Sequence, residues 1–176
     1  MQHIKLFFGK RSSLLQALFF LFSIGLLASC GDDTEPFDPI KQREIDDRLL
    51  LDYMVENGVD TSAVVKTASG LYYEQLAPGT GPQVESGDEV EVKYSGKLLN
   101  GTEFDKGTIG GSPTNPLIVG AGMVIRGWDE GLKLMQEGEK ARLYIPSHLA
   151  YGRSGSRGAI PPNAPLVFDM EILDIK

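Results

Sequence analysis

The sequence predicts an α+β domain in which an antiparallel sheet of about five strands covers one short helix, with a helical extension at the N-terminal side. Three observations lead there. From Thr67 onward, short runs of alternating apolar and polar residues are separated by Gly, Pro, Asn and Asp, the texture of strands and turns. Within that region one segment, Ile125 to Leu134 around Trp128, reads as helix, and Gly138 separates it from the strand that follows. Strands with one polar face and a single helix to cover the other indicate antiparallel pairing rather than an alternating parallel array.

In chain order, the first thirty residues read as an address. Lys5, Lys10 and Arg11 precede an apolar run from Leu14 to Ala28, broken only by Gln16 and Ser23, which ends Leu27-Ala28-Ser29-Cys30. A basic start, an apolar run and small residues before a cut point make a secretory signal. The run is short of the ~20 residues that a membrane span needs. Leu-Ala-Ser-Cys resembles the bacterial lipobox, which implies removal of residues 1–29, diacylglycerol on the Cys30 thiol and a membrane anchor. Residues 30–38, beginning Gly31-Asp32-Asp33-Thr34-Glu35 after the cysteine, are polar and acidic and are expected to be a flexible tether. Acidic residues behind an acylated Cys resemble surface-export signals of some double-membrane bacteria; a solvated spacer is the other reading. The expected location is the bacterial cell envelope, on the outer membrane in preference to the inner, at its periplasmic or its surface face.

Residues 39–66 are expected to hold a helix and a linker. Asp38 followed by Pro39 suits an N-cap and the first helical position, and Asn57-Gly58 suits the stop. Ile45, Leu49 and Tyr53 recur at four-residue spacing, with Leu50 and Met54 on nearby faces, and Glu44, Asp46, Asp47 and Asp52 are assigned to the outside. Such a helix either dimerises the protein or lies on its own domain or serves as a spacer, and the sequence favours the second group.

Residues 67–176 form the main domain, expected to fold without that helix. Gly70 to Gln75 reads as a strand, and Glu89 to Lys97 alternates, with Val90, Val92 and Tyr94 facing one way. Asn100-Gly101 fits a type I′ hairpin turn into Thr102–Asp105, a better account of Asn100-Gly-Thr102 than a glycosylation site. Leu117 to Val119 reads as another strand. Ala141, Leu143 and Ile145 alternate with Lys140, Arg142 and Tyr144, and Leu166, Phe168, Met170 and Ile172 mark the last strand.

Composition removes several functions. The chain has 17 basic and 24 acidic residues, and no acid precedes Cys30, so the cleaved chain is more acidic still. That balance opposes a nucleic-acid-binding surface, which needs clustered Lys and Arg. One cysteine cannot form a disulfide within the chain, and after cleavage His148 alone cannot build a Cys/His zinc site. Ser147-His148 suggests a hydrolase pair only superficially, because strand neighbours point to opposite faces. No phosphate loop, EF-hand or cofactor motif is present.

Five runs in one order carry a resemblance. Val92-Lys-Tyr-Ser-Gly96, Gly101-Thr-Glu-Phe-Asp105, Val124-Ile-Arg-Gly-Trp-Asp-Glu-Gly-Leu132, Ala150-Tyr151-Gly152 and Ile160-Pro-Pro-Asn-Ala-Pro-Leu-Val-Phe168 resemble the FKBP-type peptidyl-prolyl isomerases, across the 110 residues from Thr67 to Lys176. The resemblance implies a twisted antiparallel half-barrel around the helix, with a proline pocket between helix and sheet. It implies pocket residues Tyr94, Phe104, Asp105, Val124, Ile125, Trp128, Tyr151, Ile160 and Phe168. Trp128 would be the floor, Tyr94, Phe104 and Phe168 the aromatic wall, and the Ile125 N–H and Tyr151 hydroxyl the donors to substrate carbonyls. Proline-containing polypeptides are the implied substrates and tacrolimus-like molecules the implied inhibitors, without cofactor or metal. Ser156, Ala159 and the Gly- and Pro-rich Lys106–Pro116 depart from the family pattern, and they bear on substrate preference and drug affinity more than on the basic activity. Two functions follow: an isomerase acting on X–Pro bonds of exported proteins, or a non-catalytic polypeptide-binding module or chaperone using the same pocket.

Overall fold

The computed structural model describes residues 36–156 and 158–176. The signal-like run, Cys30 and the tether through Glu35 lie outside the described residues. Contacts divide the chain after Pro36, and Phe37–Lys176 form one unit.

Helix α1 (Pro39–Glu56) begins and ends where local chemistry directs. The Asp38 carboxylate accepts the Ile40 and Lys41 N–H groups at 2.8 and 3.3 Å, with Pro39 at the first helical position. At the other end Gly58 takes φ +70°, and the Val59 N–H returns to the Met54 carbonyl at 2.9 Å. The buried stripe differs from the expected one. Asp46, Leu50 and Met54 face inward, while Ile45 and Leu49 are 40% and 43% exposed. Asp46 and Asp47, assigned to the outside, both turn toward the domain. Asp46 is fully buried on Ser147, and Asp47 accepts from the Tyr72 hydroxyl at 2.6 Å and pairs with Lys66.

The sheet contains β1 (Val65–Lys66), β2 (Tyr72–Ala77), β3 (Glu89–Leu98), β4 (Glu103–Gly110), β5 (Leu117–Ile118), β6 (Lys140–Ile145) and β7 (Leu166–Ile175). Its order is β1-β2-β6-β7-β3-β4, with β5 on β3, and every pair is antiparallel. Among the described residues, seven strands replace the expected five or so. Strands β1 and β5 have two residues each; β5 falls within the Leu117 to Val119 run read as a strand, whereas β1 is too short to alternate and exists through pairing alone. The first of them lies before Thr67, so the sheet starts within the segment read as linker.

The second helix, α2 (Arg126–Gly131), tightens into a 3₁₀ turn over Leu132–Leu134. It sits on the inner face of the sheet, where Trp128 and Leu132 join Val90, Val92, Leu143, Ile145, Phe168, Met170 and Ile172 in one core. Close approach depends on two glycines: a Cβ on Gly127 would lie 2.5 Å from Ile145, and one on Gly131 would lie 2.4 Å from Leu143. The outer face is covered by α1, whose Leu50 and Met54 bury Tyr72, Tyr144 and Val167. Tyr144, which alternates with Ala141, Leu143 and Ile145, is therefore fully buried on the opposite face, and its hydroxyl donates to Glu74 at 2.6 Å.

The β3–β4 hairpin corrects the expected type I′ turn. Only Gly101 has positive φ, at +84°, while the Gly101 N–H bonds the Leu98 carbonyl and the Leu98 N–H bonds the Thr102 carbonyl. This is a three-residue loop closed by a left-handed glycine. The Asn100 side chain accepts the Thr102 N–H at 3.0 Å instead of adopting positive φ itself.

Candidate active site

Between α2 and the β3–β4 side of the sheet lies an open cavity of ≈ 400 Å³, lined by Tyr94, Phe104, Asp105, Ile109, Met123, Val124, Ile125, Trp128, Tyr151 and Phe168. Trp128, 4% exposed, is at the centre of the rings. Its centroid is 4.9 Å from Tyr94 and 5.1 Å from Phe168, both edge-on, and Phe104 meets Phe168 at 5.6 Å in the same way. Edge-to-face packing places ring edges against ring faces and holds the group rigid. The indole N–H is buried without a hydrogen-bond partner among the described residues.

Phe104 and Asp105 are neighbours on β4, yet both line the cavity. On a regular strand they would face opposite sides. The β3–β4 register shifts here, because Gly96 pairs with Asp105 and Lys97 with Glu103, which leaves Phe104 as the extra residue of a bulge. Gly96 is part of the same device. A Cβ there would lie 2.5 Å from Phe168 and 2.8 Å from Phe104, so only glycine lets both rings close over the strand.

Polar groups surround this apolar floor. The Tyr94 hydroxyl donates to Asp105 Oδ2 at 3.0 Å. Burial and the Asp105 carboxylate push the Tyr94 hydroxyl above its ordinary pKa, and burial with the same charge does so for Tyr151. Both phenols therefore remain neutral donors at physiological pH. Tyr151 is 40% exposed, and its hydroxyl has no partner among the described residues. The Ile125 N–H precedes α2 and makes no backbone hydrogen bond there, while the Ile125 carbonyl accepts from Trp128 at 2.9 Å. Asp129 steadies the approach to Ile125 by accepting the Gly120 and Gly122 N–H groups at 2.9 and 3.0 Å.

Of the nine residues named from the sequence, eight line the cavity. Ile160 does not. It is 6% exposed within the core, and its backbone pairs with Ser156. Ile109 and Met123 line the cavity and were not named. The signal for Ile109 was the period of two from Asp105 through Gly107 along β4, obscured by the reading of Lys106–Pro116 as loop. Met123 lies in an irregular segment with no period to read. Ser147 and His148 form no hydrolase pair: Ser147 bonds Asp46, and the His148 Nε2 bonds the Ser69 carbonyl at 3.0 Å. Among the described residues no group of three or more His, Cys, Asp or Glu side chains could hold a metal ion.

Comparison with known proteins bears on the family and the fold. A family model described as FKBP-type peptidyl-prolyl cis-trans isomerase matches residues 81–173. The chain is similar to the macrophage infectivity potentiator of Trypanosoma cruzi, 35% identical over 175 residues that cover 99% of this chain and 87% of that protein. It is also similar to FK506-binding protein 4 of Dictyostelium discoideum, 50% identical over 122 residues, covering 68% of this chain but only 32% of that protein's length. Among solved structures, a peptidyl-prolyl cis-trans isomerase from Pseudomonas syringae pv. tomato matches with a TM-score of 0.63 at 30% identity, over 81% of this chain and 98% of that one.

Proposed function

The chain belongs to the FKBP-type peptidyl-prolyl cis-trans isomerase family, and from that membership we propose that it accelerates X–Pro isomerisation in exported polypeptides, with the cavity over Trp128 as its catalytic site. The observation that carries this reading is the convergence of four aromatic rings with two unengaged donors, the Ile125 N–H and the Tyr151 hydroxyl, on one open cavity.

Rotation about an X–Pro bond breaks amide resonance and faces a barrier of ~18–20 kcal/mol. No covalent bond to the protein is required. The twisted imide has lost resonance and is less dipolar than the planar form, so an apolar pocket disfavours the planar ground state relative to the transition state. Trp128 receives the prolyl ring, and Tyr94, Phe104 and Phe168 exclude water from it. Donors aimed at the rotated carbonyl, from Ile125 and Tyr151, add electrostatic stabilisation where it is needed. About 5.4 kcal/mol suffices for a 10⁴-fold acceleration, a scale within reach of such a pocket and two hydrogen bonds. Asp105 orients Tyr94, and its charge helps to keep both phenols protonated. A purely holding module would need the apolar walls but not two unengaged donors beside them, which favours catalysis. The same walls would accept tacrolimus-like inhibitors.

The test is turnover of a Pro peptide against suppression of aggregation of an unfolded protein. Turnover that falls with pocket substitutions supports the isomerase; suppression without turnover returns the binding-module reading. Anchoring in the cell envelope through a lipid on Cys30 is part of the same proposal, supported by the Leu27-Ala28-Ser29-Cys30 run. An unmodified Cys30 in mature protein, read by mass spectrometry, would remove it. Dimerisation through α1 would have to use its exposed Ile45 and Leu49, because Leu50 and Met54 are buried on the chain's own sheet.

A further inference from the structure

The fully buried stripe of α1 is apolar apart from one residue. Leu50 and Met54 are fully buried against Tyr72, Tyr144 and Val167, and Asp46, one turn earlier on the same stripe, is equally buried. A buried carboxylate is costly unless hydrogen bonds replace its water, and here three do. Asp46 Oδ1 accepts from Gln42 Nε2 at 2.7 Å, and Oδ2 accepts from the Ser147 N–H at 2.8 Å and the Ser147 hydroxyl at 2.6 Å. An apolar residue would simply continue the stripe, so helix packing does not account for Asp46.

The position of Ser147 does. It opens the 3₁₀ turn Ser147–Leu149, which follows β6 and leads to Tyr151. The carbonyl of His148, in that turn, accepts from the guanidinium of Arg126, the first residue of α2 and the neighbour of Ile125. The His148 ring bonds the Ser69 carbonyl at 3.0 Å, and the Ser69 hydroxyl donates to Glu130 of α2 at 2.8 Å. One turn therefore leads to the Tyr151 hydroxyl and braces α2 at two points. Both unengaged donors of the pocket depend on where it sits, and a satisfied buried network of this kind is rigid.

We propose that Asp46 is a positioning residue of the isomerase site: from α1, outside the pocket, it locks the Ser147–Leu149 turn and so places the Tyr151 hydroxyl and the Ile125 N–H. The inference rests on the isomerase reading above. It gives α1 a role at the site through Asp46 alone, and gives Ser147 and His148 an architectural task.

The test compares Asp46→Leu, Asp46→Asn and Leu50→Ala in the whole chain, with kcat and KM for a Pro peptide measured on protein shown by circular dichroism to be folded. Asp46→Leu extends the apolar stripe and removes the acceptor for Ser147. Its kcat/KM is expected to fall about tenfold, mostly in kcat, as small misplacements of reacting groups do. Asp46→Asn keeps an acceptor oxygen and recovers part of that loss. Leu50→Ala thins the packing of α1 without touching Ser147, so it lowers the thermal midpoint and leaves kcat/KM of the folded protein unchanged. Adding Tyr151→Phe to Asp46→Leu costs less than it does in wild type, because the donor has already moved. Wild-type kcat/KM in Asp46→Leu, or fully additive losses, overturns the inference and leaves the isomerase reading intact. Where Asp46→Leu fails to fold, Ser147→Ala takes its place, with kcat expected about threefold lower on loss of one hydrogen bond and an unchanged kcat overturning the inference. A wild type without turnover overturns both readings together.

Discussion

The Tyr94 hydroxyl donates a 3.0 Å hydrogen bond to Asp105 across the β3–β4 hairpin, and the bulge at Phe104 is what turns Asp105 to meet it. Asp105 is exposed, so its loss leaves the core untouched. Asp105→Ala is expected to lower kcat/KM roughly fivefold, the weight of one hydrogen bond of ~1 kcal/mol, with an unchanged melting curve. Steady-state kinetics alongside thermal denaturation checks both halves.

Phe168 and Tyr151 separate the apolar and the polar parts of the pocket. Phe168 is 3% exposed and touches Trp128 and Phe104, so Phe168→Ala is expected to cost ~3–5 kcal/mol of stability and to weaken peptide binding most. Tyr151→Phe keeps the ring and removes a donor, and binding is expected to fall by only ~0.5–1.5 kcal/mol. Trp128 is the only Trp in the chain, so titration of its emission with a Pro peptide measures both.

Gly96 has no room for a methyl group. A Cβ at 2.5 Å from Phe168 and 2.8 Å from Phe104 forces two rings to move. Gly96→Ala is expected to destabilise by ~1–3 kcal/mol through overpacking and to abolish the saturable Trp128 response. Retained binding in a folded Gly96→Ala protein would contradict the account of that wall.

Alkaline pH should loosen the fold. Burial, then the hydrogen bond to Glu139, raises the Tyr73 pKa; burial, then Glu74, raises that of Tyr144; burial and Asp105 raise that of Tyr94. A folded pKa above the unfolded one contributes stability that is complete below the unfolded value, about 10 for Tyr, and is lost as pH rises through the folded values. Urea midpoints are therefore expected to hold steady from pH 7 to about 10 and to drop above it. Tyr144→Phe should make that drop shallower.

Removing α1 should weaken the domain without dissolving it. The inner core around Trp128 contains no α1 residue, whereas Leu50 and Met54 cover Tyr72, Tyr144 and Val167 outside. Deletion through Gly58 is expected to leave a cooperative thermal transition at a lower midpoint, with ~1.5–3 kcal/mol lost for each of the two covering side chains. A non-cooperative melt would make α1 indispensable to the core.

The sequence by itself determined what depends on near neighbours and on period. Asp38-Pro39 and Asn57-Gly58 bound α1 because a cap and a left-handed stop act within a few residues. The alternation along β3, β6 and β7 was readable because each strand turns an apolar face to one core. Five motif runs carried eight of the ten residues around the cavity. Tertiary structure decided the rest. Adjacent stripes on α1 differ by one residue, about 100° of turn, and only the docked sheet selects Asp46, Leu50 and Met54 over Ile45, Leu49 and Tyr53. Burial of Tyr144 and Val167 follows from that docking, since their own strands mark them as outward. Phe104 and Asp105 share a face because β4 bulges against β3, a property of the pair and of neither strand alone. Ser147 meets Asp46 across 101 positions of chain, a contact that no local pattern encodes because only the closed fold brings the two together.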